Sequence, residues 1–288
     1  MSQLQLTDAL IDANWLHQHI DNPQLVVFDA SWHMPAAGRN GREEWHSEQI
    51  KNAAFFDFDE RICDPDSDLP HMMPDAELFT DEVQKLGLNQ TSLLVIYDSL
   101  GIVTSTRAWC MMNAMGFDNC AILDGGLPAW KRAGYDVFTS AQSDTRKRGN
   151  FVANPQQGHF CDASAVLNAS QGGKQTIIDA RSVERFRGEV EEPRAGLRKG
   201  HMPAARNLPF SDLLTQGLMK PGFELEQIFA EISPHSNPII CSCGSGVTAC
   251  IVAFAAKRAG YQDVVVYDGS WCEWGRPGDL PVTTDNSA

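Results

Sequence analysis

The stretch Pro238-Ile239-Ile240-Cys241-Ser242-Cys243-Gly244-Ser245-Gly246-Val247-Thr248-Ala249 begins as an apolar run, curls through two glycines beside Cys243 and continues into apolar sequence. A short apolar run bounded by glycines is expected to be a buried strand, and the apolar sequence after the glycines is expected to be a helix. The cysteine therefore stands between the end of a strand and the first turn of a helix. The same pattern occurs earlier: Leu93-Leu94-Val95-Ile96-Tyr97 runs into a loop and a helix, with Asp98 in the place of Cys243. The two expected helices, near Thr104 to Met115 and Val247 to Ala259, each stop at a glycine, Gly116 and Gly260, as helix C-termini commonly do.

Working outward, the correspondence extends through both halves. Each opens on an apolar run ending in Asp-Ala, Leu25 to Ala30 and Thr176 to Ala180. Each continues with a segment followed by a short apolar stretch, Ile50-Lys51-Asn52-Ala53-Ala54 and Met202-Pro203-Ala204-Ala205-Arg206, and each closes on a turn, Asp124-Gly125-Gly126 and Asp268-Gly269-Ser270, followed by Trp130 and Trp274. Buried strands alternating with helices predict an α/β fold, with a parallel sheet flanked by helices in each half. The expected boundaries are a first domain over residues 1–140, a linker over 141–160 and a second domain over 161–288. The polar stretch Ser140 to Asn150 has no apolar period and opens the linker.

The loop around Cys243 carries the chemistry. Curled main-chain N–H groups and the positive end of a helix dipole stabilise an anion at the loop centre. A thiol there is expected to ionise more easily than a free one, and the thiolate is the nucleophile. Gly244 and Gly246 would cost about 1 kcal/mol each in a packed helix, but they suit a loop wrapped around an anion. A phosphatase cradle needs an arginine six residues after its cysteine, and here that position is Ala249, which disfavours phosphoryl chemistry. Asp98 offers no thiolate in the equivalent place, so the first half is expected to be catalytically silent.

Composition narrows the partners. The chain has 288 residues, 43% hydrophobic and 21% charged, enough for two cores. Its formal net charge of −14 argues against nucleic acid or anionic membrane as a partner. Residues 1–10 lack a basic start followed by an apolar run, and no stretch of about 18 apolar residues is present, so a cytoplasmic protein is expected. Eight scattered cysteines are expected to be reduced thiols, and Cys241 with Cys243 is a lone C-x-C without the spacing of a metal site.

Tandem repeats with an acidic residue in the first loop and a cysteine in the second resemble the two-domain rhodanese family, from about Gln5 to Val282. Cys243-Gly244-Ser245-Gly246-Val247-Thr248 is similar to the 3-mercaptopyruvate branch of that family. Thiosulfate-using members carry basic residues just after the cysteine, where this chain has Gly244 and Ser245. The resemblance implies two tandem rhodanese-like domains and a sulfurtransferase. Cys243 would take sulfur from a 2-oxo acid thiol, 3-mercaptopyruvate, and pass it as a persulfide to a thiol, thioredoxin or cyanide, with no cofactor. It also implies that Arg185 of Arg185-Phe186 and Arg194 of Glu192-Pro193-Arg194 bind the donor's carboxylate and oxo group. Gly244, Gly246, Val247 and Thr248 would line the persulfide, with Thr248 bonding it or capping the helix. Ser245, His71 and Asp59 resemble a proton relay suggested for this branch; His71 serves equally well as a packing residue and Asp59 as an ordinary loop carboxylate. Two alternatives stay open: thiosulfate as the donor, and a non-enzymatic module that receives its sulfur from a partner.

Overall fold

A computed structural model describes residues 4–139 and 146–284. The chain divides into two units, one of Met1–Pro65, Met73–Gln156 and Gln216–Leu218, the other of Asp66–Met72, Gln157–Thr215 and Met219–Ala288. Ser140 to Thr145, the opening of the expected linker, lies outside the described residues. Residues 146–156 belong to the first unit. Arg146 donates to the carbonyls of Asn52 and Ala53, and Phe151 is fully buried, edge-on to Phe79 and Phe117.

The first unit contains β1 (Leu10–Ile11), α1 (Ala13–His19), β2 (Leu25–Asp29), α2 (Gly41–Ser47), β3 (Ala54–Phe55), α3 (Ala76–Lys85), β4 (Leu93–Tyr97), α4 (Ser105–Ala114), β5 (Cys120–Leu123) and α5 (Gly126–Arg132). The second contains β6 (Phe160–Cys161), α6 (Ala163–Ser170), β7 (Thr176–Asp179), α7 (Val183–Arg187) and β8 (Arg206–Asn207). After the short strands β9 (Leu214–Thr215) and β10 (Leu218–Met219) come α8 (Gly222–Ile232), β11 (Ile239–Ser242), α9 (Ala249–Arg258), β12 (Val264–Tyr267) and α10 (Ser270–Trp274). Both units build a five-stranded parallel sheet, in the orders β1-β5-β4-β2-β3 and β6-β12-β11-β7-β8. The two orders are the same once each strand is replaced by its repeat partner.

The physical origin of this match is local as well as global. Asp12 and Asp162 both cap the helix after the first strand, accepting from the N–H of Trp15 at 2.7 Å and of Ala165 at 3.0 Å; such a cap is worth about 1 kcal/mol. β4 is buried at every position because helices cover both faces of its sheet. On one face Val27, Val95, Tyr97 and Ala121 pack with Leu16 and Trp130. In the second unit Ile177, Ile240 and Tyr267 pack with Val166, Trp271 and Trp274. Each large apolar side chain so buried contributes about 1.5–3 kcal/mol.

The two sheets place their loops alike. β4 and β11 are flanked by strands on both sides, so their carboxyl ends open at the middle of the sheet edge, where open α/β sheets bind ligands. Asp98 and Cys243 are the residues immediately beyond those ends. The helices that follow are short and deeply buried; every residue of α4 is buried, as are Ala249 through Ala256 of α9.

Candidate active site

In the first unit the loop's preference for an anion is visible directly. Asp98 Oδ2 accepts from the N–H groups of Val103, Thr104 and Ser105 at 2.9, 3.0 and 2.9 Å and from Ser105 Oγ at 2.7 Å. Its Oδ1 accepts from the Leu100 N–H at 2.9 Å. Five donors converge on one fully buried carboxylate. These are charge-assisted bonds to an oxygen at a helix N-terminus, the arrangement that favours negative charge there.

The second unit repeats this frame around a sulfur. The Trp271 N–H donates to the Cys243 carbonyl at 3.0 Å, as the Leu127 N–H does to that of Asp98 at 3.0 Å. The Cys272 N–H adds a bond to the Gly244 carbonyl at 2.8 Å. The Cys243 N–H donates to Ser270 Oγ at 3.2 Å, and that hydroxyl donates in turn to the Tyr267 carbonyl at 2.8 Å. The start of α10 thus staples the loop from below. Cys243 is 2% exposed and Gly246 takes φ +73°, the left-handed region open to glycine. The loop is one residue shorter than its counterpart, because α9 starts at Ala249 and α4 at Ser105. Among the described residues, the N–H groups of Gly244, Ser245, Val247 and Thr248 donate to no protein acceptor. Thr248 occupies the N-cap position of α9, but its hydroxyl makes no cap bond. The capping role expected for its side chain is not seen.

The arginines sort clearly. Arg185 Nη2 lies 3.2 Å, and Nη1 4.0 Å, from where a side-chain carbon on residue 244 would be. A side-chain carbon at 244 would crowd this guanidinium, which lies against the cysteine loop. Arg185 is held by Glu192, through Nη2 at 2.6 Å and Nε at 3.3 Å. Arg194 is half-buried and has no hydrogen-bond or ion-pair partner among the described residues. Its charge bears on Cys272, as do those of Cys243, Glu192 and Arg185. The other cations of this loop face elsewhere: Arg198 donates to the carbonyl of Trp274, and Lys199 pairs with Glu191.

Sequence reasoning missed the group beneath Arg185. Arg181 is fully buried and donates to both oxygens of Asp179, to Glu192 Oε1 at 2.8 Å and to the Gly200 carbonyl at 2.8 Å. Its guanidinium lies 4.1 Å above the Trp271 ring. Burial pulls its pKa down, but Asp179 and Glu192 outweigh this and hold it above the ordinary arginine value. One signal was present: the repeats read Asp29-Ala30-Ser31 and Asp179-Ala180-Arg181. Where the first unit has Ser31, Asp29 has no cation bonded to it among the described residues, and burial pushes its carboxyl up to about 7 against the bonds from Ser31 and Tyr97.

His71 and Ser245 come together. His71 belongs to the segment counted with the second unit, is 2% exposed and has φ +64°. Its Nδ1 donates to the main-chain carbonyl of Ser245 at 3.2 Å, so the contact is to the loop backbone and not to the Ser245 hydroxyl. Asp59 lies in the first unit, exposed in the loop after β3, where its carbonyl accepts from the Cys63 thiol at 3.1 Å. Burial raises the thiols of Cys241, Cys272 and Cys161, the last to about 12.

Comparison with known proteins also finds two repeats in the chain. The family model for the rhodanese-like domain matches twice, at residues 12–133 and 162–276. The 3-mercaptopyruvate sulfurtransferase of Escherichia coli K12 is 39% identical over 278 residues, 96% of this chain and 98% of that protein. The human 3-mercaptopyruvate sulfurtransferase is 36% identical over 291 residues, 97% of each. The crystal structure of SseA from Escherichia coli, a 3-mercaptopyruvate sulfotransferase, superposes with a TM-score of 0.83 at 37% identity, covering 92% of this chain and 99% of that one. Among the described residues, no helix is long and apolar enough to cross a membrane.

Proposed function

Because the chain belongs to the rhodanese-like domain family, we propose that it is a 3-mercaptopyruvate sulfurtransferase whose second domain, residues 161–288, carries the reaction while the first, residues 1–140, is catalytically silent. The observation that carries this reading is the pair of matched loops. One cradle is filled by the Asp98 carboxylate, and the other presents Cys243 with Arg185 against it.

In the first half-reaction the Cys243 thiolate attacks the sulfur of 3-mercaptopyruvate. A sulfur–sulfur bond forms, the carbon–sulfur bond breaks, and its electron pair enters the oxo group to give the enolate of pyruvate, which is then protonated on carbon. Arg194 and Arg185 hold the carboxylate and the oxo oxygen, and planar guanidiniums suit both because negative charge grows on that oxygen in the transition state. The free N–H groups of the loop and Thr248 bond the terminal sulfur of the persulfide. In the second half-reaction a thiol, thioredoxin or cyanide attacks that sulfur and returns Cys243 as thiolate, with no cofactor taking part. His71, fixed on the Ser245 carbonyl, holds the loop backbone. Together with Ser245 and Asp59 it is our candidate route for the proton that pyruvate needs. Eight free cysteines suit a reducing, cytoplasmic setting.

Stoichiometric release of pyruvate from 3-mercaptopyruvate by the purified protein, with transfer to added cyanide or dithiol, tests the proposal. A protein that yields no pyruvate from this donor yet accepts sulfur from thiosulfate or a persulfidated partner overturns it.

A further inference from the structure

We propose that Glu192 is a positioning residue that sets donor choice, by fixing Arg185 over the cysteine loop and cancelling its charge so that the site takes a monoanionic sulfur donor in preference to a dianionic one. This rests on the sulfurtransferase reading above.

The geometry begins with a carboxylate that cannot move. Glu192, with its side chain 2% exposed, has Oε1 on Arg181 Nη1 at 2.8 Å. Arg181 is itself locked by Asp179, the Gly200 carbonyl and the Trp271 ring. Arg185, 25% exposed, must therefore come to Glu192, and it does so along its Nε–Nη2 edge. That choice of edge leaves Nη1 and one hydrogen of Nη2 for the loop side, where Gly244 makes room. A guanidinium on a long stem is turned in this way into a fixed donor pair.

The charges matter as much as the geometry. Asp179, Arg181, Glu192 and Arg185 alternate in sign along one bonded chain and sum to zero. Of the two arginines assigned to the donor, only Arg194 has no ion-pair partner among the described residues, and its charge bears on Cys272, whose N–H holds the Gly244 carbonyl. One full positive charge matches the carboxylate of a 2-oxo acid. It undercompensates a dianion such as thiosulfate, which would enter beside the Glu192 carboxylate with one negative charge too many.

The test compares 3-mercaptopyruvate and thiosulfate as donors, with cyanide as the acceptor, in the wild type and two variants. Glu192→Gln keeps an oxygen acceptor for Arg181 but removes the charge. The ratio of kcat/KM for thiosulfate to that for 3-mercaptopyruvate is expected to rise at least about tenfold. For 3-mercaptopyruvate kcat should fall while KM stays or drops, because Arg185 loses its aim and not its charge. Glu192→Asp keeps the charge at a shorter reach, so kcat falls but the donor ratio stays within about twofold of wild type. Should Glu192→Gln fail to fold, Glu192→Asp carries the test, because a donor ratio that moves by more than about twofold with the charge retained contradicts a charge-based choice. A wild type that makes no pyruvate refutes the sulfurtransferase reading itself. An active wild type whose donor ratio is unmoved in Glu192→Gln, or moved by more than about twofold in Glu192→Asp, refutes the role given to Glu192 alone.

Discussion

Replacing Asp98 by asparagine tests whether this strand-loop-helix frame stabilises negative charge, and does so away from the residues assigned to catalysis. The side chain keeps its shape and loses only its charge and one acceptor. Asp98 Oδ2 receives four donors and Oδ1 one. In one amide orientation the new NH2 group faces four donors; in the other it faces the Leu100 N–H, and the oxygen left behind is uncharged. Hydrogen bonds to a charged group contribute about 1.5–3 kcal/mol each, about twice a neutral one, and a buried unpaired donor costs about 1–3 kcal/mol. The better orientation strands one donor and weakens four bonds, so a loss of about 3–5 kcal/mol is expected. At this chain length that corresponds to about 10 °C in Tm for the affected unit. Urea unfolding followed by circular dichroism, with protease mapping to identify the first unit as the one that opens, measures it. A loss below about 1 kcal/mol would show that the loop does not favour an anion, and would remove the main physical argument for Cys243.

Two further outcomes are expected. Arg194→Ala should raise KM and slow turnover of 3-mercaptopyruvate by about 10- to 1,000-fold while leaving urea unfolding unchanged, since this arginine has no protein partner to lose among the described residues; unaltered kinetics would make it surface charge. Asp29, raised to about 7 by burial, keeps its proton in the folded chain across a range in which the unfolded chain has released it. Stability should therefore fall as pH rises from about 4 to about 7, by at most about 1.4 kcal/mol per pH unit, and Asp29→Asn should flatten that slope in urea titrations at about pH 5 and 7.

The fold was legible because its strands are buried on both faces. Leu93 to Tyr97 and Ile239 to Cys241 read as continuous apolar runs, and Gly116 and Gly260 mark the ends of the helices behind them. Repetition then did what no single motif does, since two copies of one order of elements imply one sheet topology used twice. The cysteine loop was legible for the same reason. The charge chain under Arg185 was not, because Asp179, Arg181 and Glu192 meet only after β7 and the α7 loop have folded together, and glutamates on a mixed-charge loop look solvated in sequence. Nor does spacing reveal that Asp68 and His71, from the first half of the chain, bond Arg276 and the Ser245 carbonyl of the second unit. Phe151 was likewise hidden in the expected linker, just after a polar stretch, although it packs edge-on in the aromatic cluster of the first unit.

Mass analysis of the cysteine peptides after brief exposure to 3-mercaptopyruvate without acceptor bears most directly on the whole account. One extra sulfur on the Cys243 peptide, matched by one equivalent of pyruvate and absent in Cys243→Ser, is the predicted result. Sulfur carried elsewhere, or pyruvate still released at the wild-type rate by Cys243→Ser, would contradict it.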